Sequence, residues 1–190
     1  MLYLNDHVGD IDIAASLRAV SPQRRRETLL YRRDHDRRLS LAAYMLLQEA
    51  LKAEYGITRP PEFIFGPHGK PLLEAYPHIH FSLSHCSRAA LCVTDRRPVG
   101  CDIETVPPTL DLGLCRRVLS ARELRHVLRS ASPPHAFAAW WTRKEAFLKL
   151  TGEGLTDTLS TLLATPEARR ATFRTSRTPD GTCVYTVCTF

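Results

Sequence analysis

The chain has 190 residues, 44% of them hydrophobic, 24% charged and 8% aromatic. This balance fits one globular domain, or two small halves sharing an interface, and excludes collagen-like and linker-like sequences. Lys and Arg number 26 against 20 Asp and Glu, a net charge of +6. The surplus is local: Arg18, Arg24, Arg25, Arg26, Arg32, Arg33, Arg37 and Arg38 face only Glu27, Asp34 and Asp36 in the same segment, which is either a patch that attracts an anionic partner or a solvated helix face. No apolar run approaches the roughly 20 residues of a membrane helix. The opening Met1-Leu2-Tyr3-Leu4-Asn5-Asp6-His7 lacks the pattern of a secretory signal, so a cytoplasmic setting is expected.

In chain order, Ser21-Pro22 predicts a helix with Ser as N-cap and Pro at its first position. Apolar residues at 39, 43, 46, 47, 50 and 51 predict a second helix from Leu39 to Tyr55, ended by Gly56. Phe63-Ile64-Phe65 is a short strand before the turn Gly66-Pro67-His68-Gly69. From His78 to Ser84 the chain alternates, with Ile79, Phe81 and Leu83 on one face and His78, His80, Ser82 and Ser84 on the other. His85-Cys86-Ser87-Arg88 then turns into a strand from Ala89 to Thr94. After Asp95-Arg96-Arg97-Pro98, Val99 to Thr105 is a further strand. Helices are expected over Leu110 to Leu119, over Ser120 to Leu128 with a Ser120/Glu123 capping box, and from Pro133-Pro134 to Leu150. A hairpin around Pro179-Asp180-Gly181 closes the reading. Helix and antiparallel strand mixed in this order predict an α+β fold, divided as residues 1–97 and 98–190.

The six cysteines, at 86, 92, 101, 115, 183 and 188, show no CxxC spacing and are expected as reduced, buried small hydrophobes. His78 and His80 find no third ligand at usable spacing, so zinc is not expected.

Two clusters carry chemistry. In Gly100-Cys101-Asp102-Ile103-Glu104, the strand period places Asp102 and Glu104 on one face, with Cα atoms about 6.5–7 Å apart. Two adjacent carboxylates repel unless a cation lies between them, and oxygen ligands suit Mg²⁺. The plain alternative is a solvated acidic edge. On the helix ending near Leu150, Trp141, Glu145 and Lys149 form one stripe at i, i+4, i+8. Glu145 and Lys149 are either an ordinary helical ion pair or a carboxylate and a charge clamp aimed at a metal-bound diphosphate. A third feature, Ser82-Leu83-Ser84-His85, ends a polar strand face in an imidazole.

Gly69-Lys70-Pro71, Phe81-Ser82-Leu83-Ser84-His85, Gly100 to Glu104, and the W-x-x-K-E-A-x-x-K-x-x-G-x-G-L run from Trp141 to Leu155 occur in an order and at separations that resemble the surfactin-synthetase type of 4′-phosphopantetheinyl transferase. Asp36-Arg37-Arg38-Leu39-Ser40 resembles part of that family's N-terminal helices. The resemblance implies two pseudo-symmetric halves, each a small antiparallel sheet packed with helices, and an active site in the cleft between them. It implies transfer of phosphopantetheine from coenzyme A to a serine of an apo acyl or peptidyl carrier protein, with release of adenosine 3′,5′-bisphosphate. Asp102, Glu104 and Glu145 correspond to the Mg²⁺ ligands, and Glu145 also to the general base. Lys149 and His85 match diphosphate contacts, Lys70 an adenine neighbour, and Ser84 a phosphate or ribose contact. Arg24 matches a 3′-phosphate contact, with Arg37 or Arg38 supplying a second charge. A monomer with no nucleic-acid or membrane partner is expected. The competing readings are another Mg²⁺-dependent phosphotransferase or phosphohydrolase, and a basic nucleic-acid-binding module. The second would call for aromatic residues interleaved with the arginines, and only Tyr31 is there.

Overall fold

The computed structural model describes residues 1–154 and 159–190. Its first three-stranded sheet has the order β1 (Leu2–Asn5), β5 (Ala90–Asp95), β4 (His80–His85), all antiparallel. The second has the order β6 (Val99–Thr105), β8 (Cys183–Thr189), β7 (Thr172–Arg177), also antiparallel. A separate hairpin joins β2 (Phe63–Phe65) to β3 (Pro71–Leu73). The helices are α1 (Ile13–Ala19), α2 (Pro22–Leu29), α3 (Asp34–Tyr55), α4 (Leu112–Val118), α5 (Ala121–Arg129), α6 (Pro133–Thr151) and α7 (Pro166–Arg170). The expected α+β class is the observed one.

Most helix ends fall where the capping residues put them. Ser21 Oγ accepts from the Arg24 N–H, Gly56 ends α3 with φ +68°, and Ser120 and Glu123 form a reciprocal capping box. Strand β1, helix α1, strand β3 and helix α7 escape the sequence reading. Strand β1 has four residues and too little alternation to read alone; its register against β5, from Leu2 opposite Val93 to Asn5 opposite Ala90, makes it a strand. Helix α1 is short and depends on Asp12, whose side chain accepts from the Ala15 N–H.

Three apolar layers hold the sheets. Helix α3 lays Leu39, Ala43, Leu47, Ala50 and Leu51 against Phe81 and Cys92 of the first sheet and Ile79 just before β4. The opposite face of that sheet gives Leu91 and Val93 to a layer shared with Val99, Cys101 and Ile103 of β6. Helix α6 covers the second sheet with Ala146, Phe147 and Leu150. All six cysteines are buried and free, as expected.

The polar face of β4 departs from expectation. Ser82 and Ser84 are buried, because β6 is an edge strand whose backbone turns toward them. Ser82 Oγ accepts from the Cys101 N–H at 2.9 Å and Ser84 Oγ from the Ile103 N–H at 3.3 Å. Serines two apart thus satisfy N–H groups two apart, and hydroxyls replace a missing neighbouring strand.

Lys144 is wholly buried: its Nζ lies 2.9 Å from Glu123 Oε2 and donates to the Leu159 carbonyl at 2.8 Å. It therefore ties α6 to α5 and faces no cleft. Lys144→Met should cost about 3–4 kcal/mol, because it strands the Glu123 carboxylate. Adding Glu123→Leu should return most of that, short of about 1 kcal/mol for the lost cap. Urea denaturation of the single and double variants checks both figures.

Candidate active site

Strand β6 and helix α6 approach each other at Gly100, and this contact positions the site. A Cβ on Gly100 would lie 2.0 Å from the Ala146 carbonyl oxygen and 2.4 Å from the Leu150 nitrogen. With nothing there but hydrogen, the last turns of α6 lie directly on β6. Lys149 is thereby carried to Asp102, two residues beyond Gly100.

Asp102 is 3% exposed. Its Oδ1 accepts from Ser84 Oγ at 2.7 Å and from Lys149 Nζ at 2.7 Å, and Lys149 also donates to Ser84 Oγ at 2.8 Å. The ion pair of Lys149 therefore crosses from helix to strand; it is not the pair with Glu145 on the same helix that the spacing allows. Desolvation opposes the Lys149 charge, but Asp102, with Cys101 and Glu145, outweighs it and holds the pKa above the ordinary 10.5. Asp102 Oδ2 is buried and accepts no hydrogen bond among the described residues.

Glu104 lies two residues on and accepts from Trp141 Nε1 at 3.2 Å. Burial, then the Asp102 charge, pushes its pKa up to about 7 from the ordinary 4.5. Burial followed by Asp102 also raises Glu145. His85 reaches solvent at the end of β4, yet desolvation and then Lys149 lower its imidazole below the ordinary 6.5. A carboxyl whose folded pKa is raised stabilises the fold only while protonated. The Glu104 contribution is thus present below pH 4.5 and lost as pH rises to about 7. In metal-free buffer, Glu104→Gln should match the wild type below pH 4.5 and exceed its stability above pH 7 by on the order of 1–2 kcal/mol, read from melting curves across pH.

These groups line one hollow of about 460 Å³ together with Arg24, Tyr31, Ser40 and Trp141. A second hollow of about 290 Å³ shares Pro71, Leu83, Glu145 and Lys149 with it and extends along His68, Gly69, Lys70 and Gly152. Lys70 Nζ donates to the Leu150 carbonyl at 2.9 Å, so the β2–β3 turn is pinned to the C-terminal end of α6. Burial lowers the Lys70 pKa. The Arg24 guanidinium stands 5.1 Å from the Tyr44 ring centre and 5.3 Å from that of Phe63. It also pairs with Glu27 at 3.4 Å, while its buried Nε has no partner among the described residues.

Of the expected site residues, Arg24, Ser84, His85, Asp102, Glu104, Glu145 and Lys149 come together in the larger hollow and Lys70 in the smaller. Arg37 and Arg38 do not line either. Arg37 bonds the Tyr31 carbonyl and Asp34, and Arg38 donates to the Ile11 carbonyl at 3.2 Å. Leu155, the last motif position, lies outside the described residues. The bond from Trp141 to Glu104 was missed, although its signal was present: Trp141 stands one turn before Glu145 on the same stripe.

Among the described residues, no three His, Cys, Asp or Glu side chains are already gathered tightly enough to hold a metal ion. The residues nonetheless fit one. Lys149 and Ser84 occupy only one oxygen of the buried Asp102; the other has no partner among the described residues, and Glu104 and Glu145 in the same hollow can add the oxygen ligands a hard divalent ion takes.

Residues 98–188 match the profile of the 4′-phosphopantetheinyl transferase superfamily. The chain is 31% identical over 191 residues to the 4′-phosphopantetheinyl transferase HetI of Nostoc, an alignment covering 93% of this chain and 79% of that protein. It is 34% identical to a 4′-phosphopantetheinyl transferase of Bacillus subtilis over 72% of this chain and 62% of the relative. With the enzyme Sfp of the same species it is 28% identical over the same shares. The chain belongs to the 4′-phosphopantetheinyl transferase superfamily and to its Sfp type. It spans about three fifths of the length of the Bacillus relatives. Neither a nucleotide phosphohydrolase nor a nucleic-acid-binding module is favoured by these matches. Among the described residues, no helix is long and apolar enough to cross a membrane.

Proposed function

We propose that this protein transfers the 4′-phosphopantetheine group of coenzyme A to a serine of an apo carrier protein, releasing adenosine 3′,5′-bisphosphate. The observation that carries the reading is the buried Asp102, with one oxygen on Lys149 and Ser84 and the other unpartnered, in a cleft that also holds Glu104 and Glu145. The cleft draws walls from both three-stranded sheets, which supports dividing the chain into functional halves at residues 97 and 98.

Asp102, Glu104 and Glu145 would hold Mg²⁺, which when bound neutralises diphosphate charge and polarises the phosphoryl oxygens. Lys149, already fixed by Asp102, directs its ammonium into the cleft beside the position assigned to the diphosphate, and His85 contacts the same group from the strand end. Glu145 accepts the proton of the attacking serine. Burial and then the Asp102 charge raise its pKa, which makes it a stronger base than an ordinary carboxylate. Arg24, whose guanidinium stands over the Tyr44 and Phe63 rings, is assigned to the 3′-phosphate, Ser84 to a phosphate or ribose oxygen, and Lys70 to the adenine side. Arg37 and Arg38 lie outside the cleft and act at longer range, in the basic field that draws phosphates and an acidic carrier. The six free cysteines support a reducing, cytoplasmic setting, and we assign a monomer.

Incubation with coenzyme A, Mg²⁺ and several apo carrier proteins tests the proposal by intact mass. The expected result is a gain of one phosphopantetheine on at least one carrier, dependent on Mg²⁺. No gain on any apo acyl or peptidyl carrier would refute it.

A further inference from the structure

Cys86 begins the turn between β4 and β5, and Cys183 is the first residue of β8. The two are 97 positions apart in the chain, yet their Sγ atoms stand 3.6 Å apart. We infer that Cys86 and Cys183 form a dithiol site that a hydroperoxide converts into a disulfide joining the two three-stranded sheets.

The surroundings separate this pair from the other thiols. Among the described residues, no other hydrogen bond joins two cysteines, and Cys92, Cys101, Cys115 and Cys188 are wholly enclosed. Cys86 is 7% exposed and Cys183 1%, so an oxidant meets Cys86 first. The turn that carries Cys86 is anchored: its N–H donates to the Ala89 carbonyl at 2.9 Å, and Ser87 Oγ lies 2.9 Å from Thr105 Oγ1. Thr105 is in turn the β6 residue directly opposite Cys183. The two thiols are therefore held at short range by separate, well-tethered elements, and a disulfide needs only about 1.5 Å of further approach. The chemistry of the pair is asymmetric. The thiols share a hydrogen bond in which either sulfur can donate; it brings the Cys86 pKa down to about 6 and pushes Cys183 up, which makes Cys86 the readier thiolate. Burial instead raises Cys101 to about 11 and Cys188 to about 12, leaving them unreactive thiols.

The reaction balances with one peroxide. The Cys86 thiolate attacks a peroxide oxygen and the O–O bond breaks. The departing hydroxide takes up a proton and leaves as water, and Cys86 becomes a sulfenic acid. The Cys183 sulfur then attacks the Cys86 sulfur, the S–O bond breaks, and the hydroxyl leaves as a second water with the Cys183 proton. Two electrons pass from the thiols to the peroxide.

The test is to treat the full chain with a small excess of hydrogen peroxide, alkylate the remaining thiols, and map peptides without reduction. The expected outcome is a Cys86–Cys183 cross-linked peptide within one chain, reversed by dithiothreitol. A rise in Tm of about 5 °C should accompany it, because the bond closes a long loop. In Cys183→Ser, Cys86 should instead stop at the sulfenic acid and be trapped by dimedone. Oxidation of Cys86 to the sulfinic acid in the wild type without cross-linking would overturn the proposal. So would faster oxidation of any other cysteine, or bonds formed only between chains. Should Cys183→Ser fail to fold, the wild-type peptide map decides alone.

Discussion

Gly100→Ala is expected to destabilise the protein by about 5 kcal/mol or more, enough to remove most of the stability of a chain this size. The added methyl would sit 2.0 Å from one backbone atom of α6 and 2.4 Å from another, and neither can swing aside as a side chain would. Helix α6 would have to lift from β6, opening the apolar layer around Ala146 and Leu150 and drawing Lys149 off Asp102. Gly9→Ala serves as the control, since no atom lies within 4 Å of its added Cβ, and it should stay within about 1 kcal/mol of the wild type. Urea denaturation separates the two. A Gly100→Ala protein of near-wild-type stability would mean that the close seating of α6 on β6 is wrong.

Asp102→Asn is expected to lower transfer by about 10³–10⁴-fold, about 4–5.5 kcal/mol of transition-state stabilisation, while leaving the protein folded. The amide keeps an oxygen to accept from Ser84 and Lys149, and its NH₂ replaces an oxygen that has no partner to lose. What disappears is the negative charge that fixes Lys149 and would complete the metal site. Lys149 keeps its bonds to Ser84 and to the amide oxygen, and its side chain is about a third exposed, so the fold tolerates the lost charge. Glu104 and Glu145 should titrate at lower pH in the same variant, because Asp102 stands second to burial among the causes that raise each of them. Single-turnover rates on an apo carrier, paired with melting curves, check both halves of this expectation.

The readable parts of the fold were those governed by local chemistry. Ser21, Gly56 and the Ser120/Glu123 box set helix ends through their own hydrogen bonds, and the β4, β5 and β6 strands announce themselves by alternation and bounding turns. What escaped depends on partners distant in the chain. Strand β1 exists through β5, and the burial of Ser82 and Ser84 follows from the unpaired edge of β6. No spacing rule connects Lys144 to Glu123, since each position taken alone resembles a solvated helix face. The site divides in the same way. The period-2 spacing of Asp102 and Glu104 and the helical stripe through Trp141, Glu145 and Lys149 placed the chemistry on two elements. The choice of Asp102 over Glu145 as the Lys149 partner is set by Gly100, whose missing side chain fixes how near those elements come. Arg37 and Arg38, offered by the resemblance as a second charge for the 3′-phosphate, line neither hollow, because their guanidinium groups are held by the backbone carbonyls of Tyr31 and Ile11.

Calorimetric titration of coenzyme A into the protein with and without Mg²⁺ most directly probes whether this cleft gathers a divalent ion and a diphosphate. Affinity should rise at least about tenfold when Mg²⁺ is present, and that gain should vanish in Asp102→Asn, with a smaller loss in Glu104→Gln. Equal affinity under both conditions, or a Mg²⁺ effect that survives in Asp102→Asn, would contradict the assignment of the acidic trio.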